Sequence, residues 1–297
     1  MPRLLAFVLM LTLAMAAHAE PLRIVTSIKP ITLIAAEIAP ADARFHTLVP
    51  ASASPHTYQL KPSDRVALAR ADVILWVGPA LETFLQRLLE GPDMAGRAHA
   101  LGHRLENGQP NSPDDDEHHH DHGHHHGGDD PHIWVSPDEG HHLAEQIAHI
   151  LSHKAPDRSD VIQHRLHAFE DRLSATNHAI EQQLSPIRSH VFFIYHPAFK
   201  RFAKHFGLEV AGTLTRSPEQ QPGARHLSGL QEQLKTAERP CLLNEVQFSD
   251  RHWQSLTTGA LPHATWDPLA TTISVGDGGY TRFLSSIADS VMTCQQP

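Results

Sequence analysis

Apolar and polar positions fall in short blocks along most of the chain, and the blocks switch between the period of a strand and the period of a helix. Leu22–Ser27 reads as a strand, Pro30–Ile38 carries apolar residues at helical spacing, and Arg44–Val49 returns to strand character. A helix opened by Pro62-Ser63-Asp64 follows, then a nearly continuous apolar run, Asp72–Gly78 (DVILWVG), then a helix over Leu81–Glu90. Strands without a polar face belong to parallel sheets covered by helices on both sides, so this stretch predicts an α/β lobe.

The pattern stops between Glu106 and Asp130, where ENGQPNSPDDDEHHHDHGHHHGGDD has no side chain suited to a core and reads as a mobile, solvated loop. Pro137 then opens a helix running through Leu143, Ile147 and Ile150 to Ala155. A longer helical pattern from Asp157 to Leu184 is about 28 residues, roughly 40 Å, and predicts a rigid connector. Beyond it, strands are expected at His190–His196, Leu208–Leu214 and Cys241–Val246, with helices at Ala198–Phe206, Ala224–Ala237, around Asp250–Thr258 and at Tyr280–Met292. The predicted fold is α/β: two Rossmann-like lobes, each a parallel sheet flanked by helices, joined by one long rigid backbone helix. The expected division is an N-terminal lobe over 20–155 containing the loop 106–130, a linking helix over 156–186 and a C-terminal lobe over 187–297.

Residues 1–19 read as a secretory signal peptide: Arg3, an apolar run from Leu4 to Ala16, then Ala17-His18-Ala19 as a small-x-small cleavage site. No later segment reaches the ~18 consecutive apolar residues of a membrane helix, so the mature chain is expected in the periplasm without membrane insertion. Removing the leader takes one Arg and no acid, which moves the formal charge of −9 to −10 and disfavours nucleic acid as a partner. The two cysteines, Cys241 and Cys294, form most simply one disulfide in an oxidising compartment, worth roughly 4 kcal/mol by loop entropy. Two unpaired buried thiols are the alternative.

Histidine is the anomaly, since 26 His outnumber 24 Lys plus Arg. Several fall in loops expected at strand ends, stiffened by proline: Ser54-Pro55-His56, Asp130-Pro131-His132 and Tyr195-His196-Pro197, with Trp266-Asp267-Pro268 in a late loop. Three neutral imidazoles and one oxygen make a tetrahedral zinc set, although these residues are too far apart in sequence for a finger and no H-E-x-x-H is present. Taken singly, each is as well read as a surface or hydrogen-bonded histidine. Neither a Gly-x-Ser-x-Gly, a phosphate-cradling glycine loop nor a Cys/His nucleophile pair supports catalysis.

VPASASPHTYQLKPSD (49–64), DVILWVGPALETF (72–84), DPHIWVSP (130–137), FFIYHPAFKRFAKHFGLEVAG (192–212), SPEQQPGARHLSGL (217–230), CLLNEVQF (241–248) and WDPL (266–269) occur in this order. Together with the His- and Asp-rich insertion before DPH, they resemble the periplasmic zinc-binding proteins of zinc-uptake ABC transporters over nearly the whole mature chain. The resemblance implies a monomeric two-lobed receptor, not an enzyme, that holds Zn²⁺ as cargo between its lobes and delivers it to an ABC transporter membrane permease. It places metal ligands on His56, His132 and His196. The fourth position falls on Asp267, on water, or on a carboxylate beside the first histidine, where this chain has Pro55. Three imidazoles favour Zn²⁺ over the harder oxygen set of manganese-binding relatives.

His118, His119, His120, His122, His124, His125 and His126, set among acids including Asp114–Glu117 and Asp129–Asp130, are expected to bind divalent ions weakly as an auxiliary metal loop. Glu245 is a candidate to hydrogen-bond the far nitrogen of a ligand ring. Tyr58, Trp134 and Trp266 wall the cleft or pack the core. The competing readings are a secreted zinc hydrolase, needing Glu245 or Asp267 as general base, and a metal buffer or surface adhesin whose working part is the loop.

Overall fold

A computed structural model of the chain describes residues 20–102, 105–106, 109–110, 130–218, 220–249, 251–254, 256 and 261–295. The expected leader and the seven loop histidines lie outside these residues. In the first lobe, β1 (Arg23–Thr26), α1 (Lys29–Ile38), β2 (Arg44–Thr47), α2 (Pro62–Arg70), β3 (Val73–Trp76), α3 (Thr83–Leu89) and β4 (Ala98–Ala100) alternate. Their strands form a parallel sheet in the order β2-β1-β3-β4. A two-stranded antiparallel ribbon, β5 (Leu105–Glu106) with β6 (Gln109–Pro110), follows at the edge of the His-rich segment.

The lobes are linked by α4 (Pro137–Lys154) and α5 (Ser159–Leu184). The second lobe contains β7 (Val191–Ile194), α6 (Lys200–Phe206), β8 (Glu209–Thr213), α7 (Ala224–Thr236), β9 (Pro240–Glu245), α8 (Arg251–Gln254), β10 (His263–Trp266) and α9 (Gly279–Met292). Its sheet is again fully parallel, in the order β10-β9-β7-β8. The expected α/β architecture with a long linking helix is therefore present. The short strands β4 and β10 escaped the sequence reading, because three or four residues such as His263-Ala264-Thr265-Trp266 give no periodic signal.

The linking helix buries one stripe, Ile162, Leu166, Phe169, Leu173, Ile180 and Leu184, at helical spacing. That stripe belongs to one continuous apolar core running from Ile24, Ile31 and Ile34 in the first lobe to Phe192, Trp266 and Phe283 in the second. Separate smaller cores fill the outer face of each sheet, around Ile74 and Trp76 in one and Phe193 and Leu242 in the other.

A buried carboxylate also joins the lobes. Glu37 of α1, 1% exposed, accepts hydrogen bonds from Arg172 of the linking helix (2.8 Å), from Gly278 N (2.8 Å) and from Tyr280 N (2.9 Å). These two amides open α9, whose first turn has no helical partner for them, and a negative charge there is favoured by the helix dipole. Gly278 turns the chain into α9 at φ +70°, a conformation open to glycine at little cost. The expected disulfide is present: Cys241 of β9 pairs with Cys294 just beyond α9, with Cα atoms 5.8 Å apart.

Candidate metal centre

Parallel β/α order brings the carboxyl ends of all strands of a lobe to one edge, and in this molecule those edges carry the histidines. His56 stands in the loop after β2, His132 immediately before the 3-10 turn Ile133–Val135 that leads into α4, and His196 between β7 and the 3-10 turn Pro197–Phe199. Pro197 at the first position of its turn fixes the exit of the chain and leaves His196 extended (φ −137°, ψ 172°), its ring directed off the strand end.

The three rings converge. His132 and His196 have centroids 4.8 Å apart, His56 and His132 5.4 Å, and His56 and His196 6.0 Å, all with steeply inclined planes. One ligand nitrogen from each lies within 4.8 Å of the other two. His132 and His196 are each 4% exposed.

Carboxylates settle which nitrogens face inward. His132 Nδ1 is 2.6 Å from Asp130 Oδ1, and the same oxygen accepts the His132 backbone N–H at 3.1 Å. His196 Nδ1 is in a short hydrogen bond with Glu245 Oε1, at the end of β9. A carboxylate can only accept, so both rings carry their proton on Nδ1 and present a bare Nε2 lone pair. Those two Nε2 atoms are 3.2 Å apart. In a tetrahedral zinc site with Zn–N bonds of about 2.0–2.1 Å, neighbouring donor nitrogens are about 3.3 Å apart.

Burial, opposed by the Asp130 hydrogen bond and reinforced by the neighbouring His196, holds the His132 imidazolium pKa below its ordinary range. The ring therefore stays neutral, and available to a metal, further into acid. The Asp130 carboxyl is also pulled down: burial alone would raise it, but hydrogen bonds from His132 and the positive charge of Arg201 outweigh that. Arg201, from the second lobe, donates through Nε (2.9 Å) and Nη2 to the Asp130 carbonyl, which pins the Asp130–His132 segment across the cleft.

The cavity enclosed by the rings is about 20 Å³, lined further by Trp134, Glu245, Gln247, Phe248 and Leu269. Such a space holds one water or ion. Trp134 packs against His132 (centroids 5.2 Å) and donates through Nε1 to Pro268 O at 2.8 Å. Of the other aromatics expected near the cleft, Trp266 packs in the core beside Phe199, and Tyr58 donates to Asp64 at 2.9 Å and packs on Phe84.

Asp267, one of the candidates for the fourth position, is engaged elsewhere in this structure. Its Oδ1 accepts from Leu269 N (3.0 Å) and Gln247 Nε2 (3.1 Å), its Oδ2 accepts from Thr271 N, and it stands outside the cluster of three imidazoles. The carboxylate braces the turn after β10. Glu245 takes the supporting place considered for it. The support from Asp130 was missed, since that residue was grouped with the acids of the loop. Its signal was the Asp-x-His spacing, which lets one carboxylate bind the amide and the ring two residues on.

The model of the zinc-uptake complex component A, periplasmic, matches residues 24–294. The high-affinity zinc uptake system protein ZnuA of Haemophilus ducreyi is 34% identical over 286 residues, covering 91% of this chain and 92% of that protein. Among solved structures, a crystal structure of ZnuA superposes with a TM-score of 0.74 at 24% identity, covering 93% of this chain and 99% of the other. An internal deletion mutant of ZnuA with zinc bound superposes at 0.73 with 25% identity, covering 92% and 97%. With two parallel sheets, a linking helix and imidazoles converging at the strand ends, this chain belongs to the family of the periplasmic component A of zinc-uptake complexes.

Proposed function

We propose that the protein is a periplasmic zinc receptor, which binds one Zn²⁺ on His56, His132 and His196 and delivers it as cargo to the membrane permease of a zinc-uptake ABC transporter. One observation carries the reading: two buried Nε2 lone pairs point at each other across 3.2 Å, each fixed in that tautomer by a carboxylate behind its ring. Facing lone pairs repel, and a cation between them is what turns the arrangement from a cost into a bond. The fourth position is taken by water, because Asp267 is engaged by backbone amides. Asp130 and Glu245 contribute the negative charge that balances the ion.

Three imidazoles and a water would also suit a zinc hydrolase, and the match to a zinc-uptake component over residues 24–294 is what favours a receptor. The mature chain begins near Glu20, the lobes and connector divide as 20–155, 156–186 and 187–297, and the protein works as a monomer. The seven histidines at 118–126 act as an auxiliary, low-affinity collector. Zinc competition titration of the intact mature protein, of a form lacking Asp114–Gly128 and of His196→Ala tests this. One tight equivalent should survive the deletion and vanish with His196→Ala; tight binding lost with the loop would make the protein a histidine-rich buffer. Affinity should also fall in acid, as protons compete for the imidazoles, and a flat profile from pH 8 to 5 would contradict the site.

A further inference from the structure

A second group of metal-binding side chains stands on the outer surface of α4 and α5, sharing no residue with the cleft. His141 and Glu145 are one helical turn apart on α4, and Glu170 comes from the facing turn of α5. One ligand atom from each lies within 4.8 Å of the other two. Glu145 Oε1 is 3.8 Å from His141 Nε2, and Glu170 Oε1 is 3.7 Å from His141 Nδ1. Both separations are too long for hydrogen bonds. The two carboxylates approach opposite nitrogens of the ring, so an ion bound to one nitrogen draws the farther glutamate in from within 4.8 Å.

The outer oxygens of the two carboxylates are held separately. His142 Nδ1 is 3.1 Å from Glu145 Oε2, and His167 Nδ1 is 3.2 Å from Glu170 Oε2. Each carboxylate thus has one oxygen supported by a histidine behind it and one turned toward His141, which repeats the division of labour between ligand and support found in the cleft with the roles of ring and carboxylate exchanged. Asp138, Ser174 and Asn177 line the groove beside the cluster.

We propose that His141, Glu145 and Glu170 form a second, weaker divalent-cation site for a zinc-class ion, completed by water. One imidazole with two carboxylates suits Zn²⁺, and the partial exposure of the side chains (41%, 50% and 29%) keeps the site in high dielectric and in fast exchange. Its entrance is on the surface, nine residues along the chain from His132.

The test is a Zn²⁺ titration of the full chain in which the seven histidines from His118 to His126 are replaced by Ser, beside the same protein carrying Glu145→Gln and Glu170→Gln. The parent should bind a second equivalent, weaker than the first, and the double variant should bind that equivalent at least tenfold more weakly with the first unchanged. A parent that binds only one equivalent, or a double variant that retains the second, overturns the proposal. The retained first equivalent reports that the variant is folded. Crystals soaked in Zn²⁺ supply a second readout: an anomalous peak beside His141 is expected, and its absence at saturating zinc overturns the site. Failure here is distinct from failure of the cleft reading, which is judged by the first equivalent and His196→Ala.

Discussion

Replacing Glu245 by Gln isolates what a full charge contributes behind a metal-binding ring. The side chain is 1% exposed, its Oε1 meets His196 Nδ1, and its Oε2 accepts no hydrogen bond among the described residues. A glutamine with its carbonyl toward His196 keeps the acceptor and hence the tautomer. Two things are lost: the negative charge near the bound cation, and the compatibility of the outer atom, now an NH₂ at a buried point where no acceptor was engaged. Loss of such a partner behind a metal ligand costs about 10- to 100-fold in affinity, or about 1.4 to 2.8 kcal/mol. The assay is competition for Zn²⁺ against a chromophoric chelator at pH 7.5. In parallel, urea unfolding of the zinc-free protein should change little, because removal of a buried charge is offset by a buried NH₂ left without an acceptor. An affinity within threefold of the parent would refute the argument. A loss as complete as that of His196→Ala would refute it differently, by making Glu245 a ligand in its own right.

Three further outcomes follow from the packing. Glu82, fully buried, accepts from Val77 N and Gly78 N, and burial pushes its pKa up from 4.5 to about 7. Between those values the folded zinc-free protein keeps a proton that the unfolded chain has lost, so stability should fall as pH rises from about 4.5 to 7, by on the order of 3 kcal/mol from this group; Glu82→Gln should remove that slope in urea titrations taken across the window. Gly140 lies against Tyr280, where an added Cβ would sit 2.1 Å from the hydroxyl oxygen that donates to Trp134 O and Ser136 O. Gly140→Ala should therefore destabilise by about 1–3 kcal/mol in the same assay, and a neutral result would mean that Tyr280 can move. Glu37→Ala leaves Arg172 and two buried amides without their acceptor and should cost about 3–5 kcal/mol of global stability, while an effect under 1 kcal/mol would show that the clamp contributes little.

The blocks with strong periodicity were legible because burial alone dictates them: the stripe from Ile162 to Leu184 and the unbroken run Val73–Trp76 are apolar for reasons visible without a structure. His56, His132 and His196 could be picked out as a set only with the family resemblance, since a separation of 64 positions between the last two hides that their Nε2 atoms meet. Asp267 was left as one of several candidates because an aspartate before proline serves a turn as readily as a metal, and sequence does not show that Leu269 N and Thr271 N are within its reach. The cation group on α4 and α5 gives no comparable signal. His141 and Glu145 share a face by spacing, but Glu170 joins them only through the way the two helices pack.

The reach of the Glu37 clamp bears on when the chain can fold. Its backbone partners are 241 and 243 residues downstream, so while the polypeptide emerges, the carboxylate can meet Arg172 of the linking helix but lacks the two amides that complete its burial until the last helix has arrived. Contacts of such long range are slow to form, and a lobe held open in the meantime exposes surface on which chains associate. The first lobe is thus an unfinished half until the carboxyl terminus is delivered, and a truncation before Gly278 would release a protein whose N-terminal half, though complete in sequence, lacks the piece that seals it.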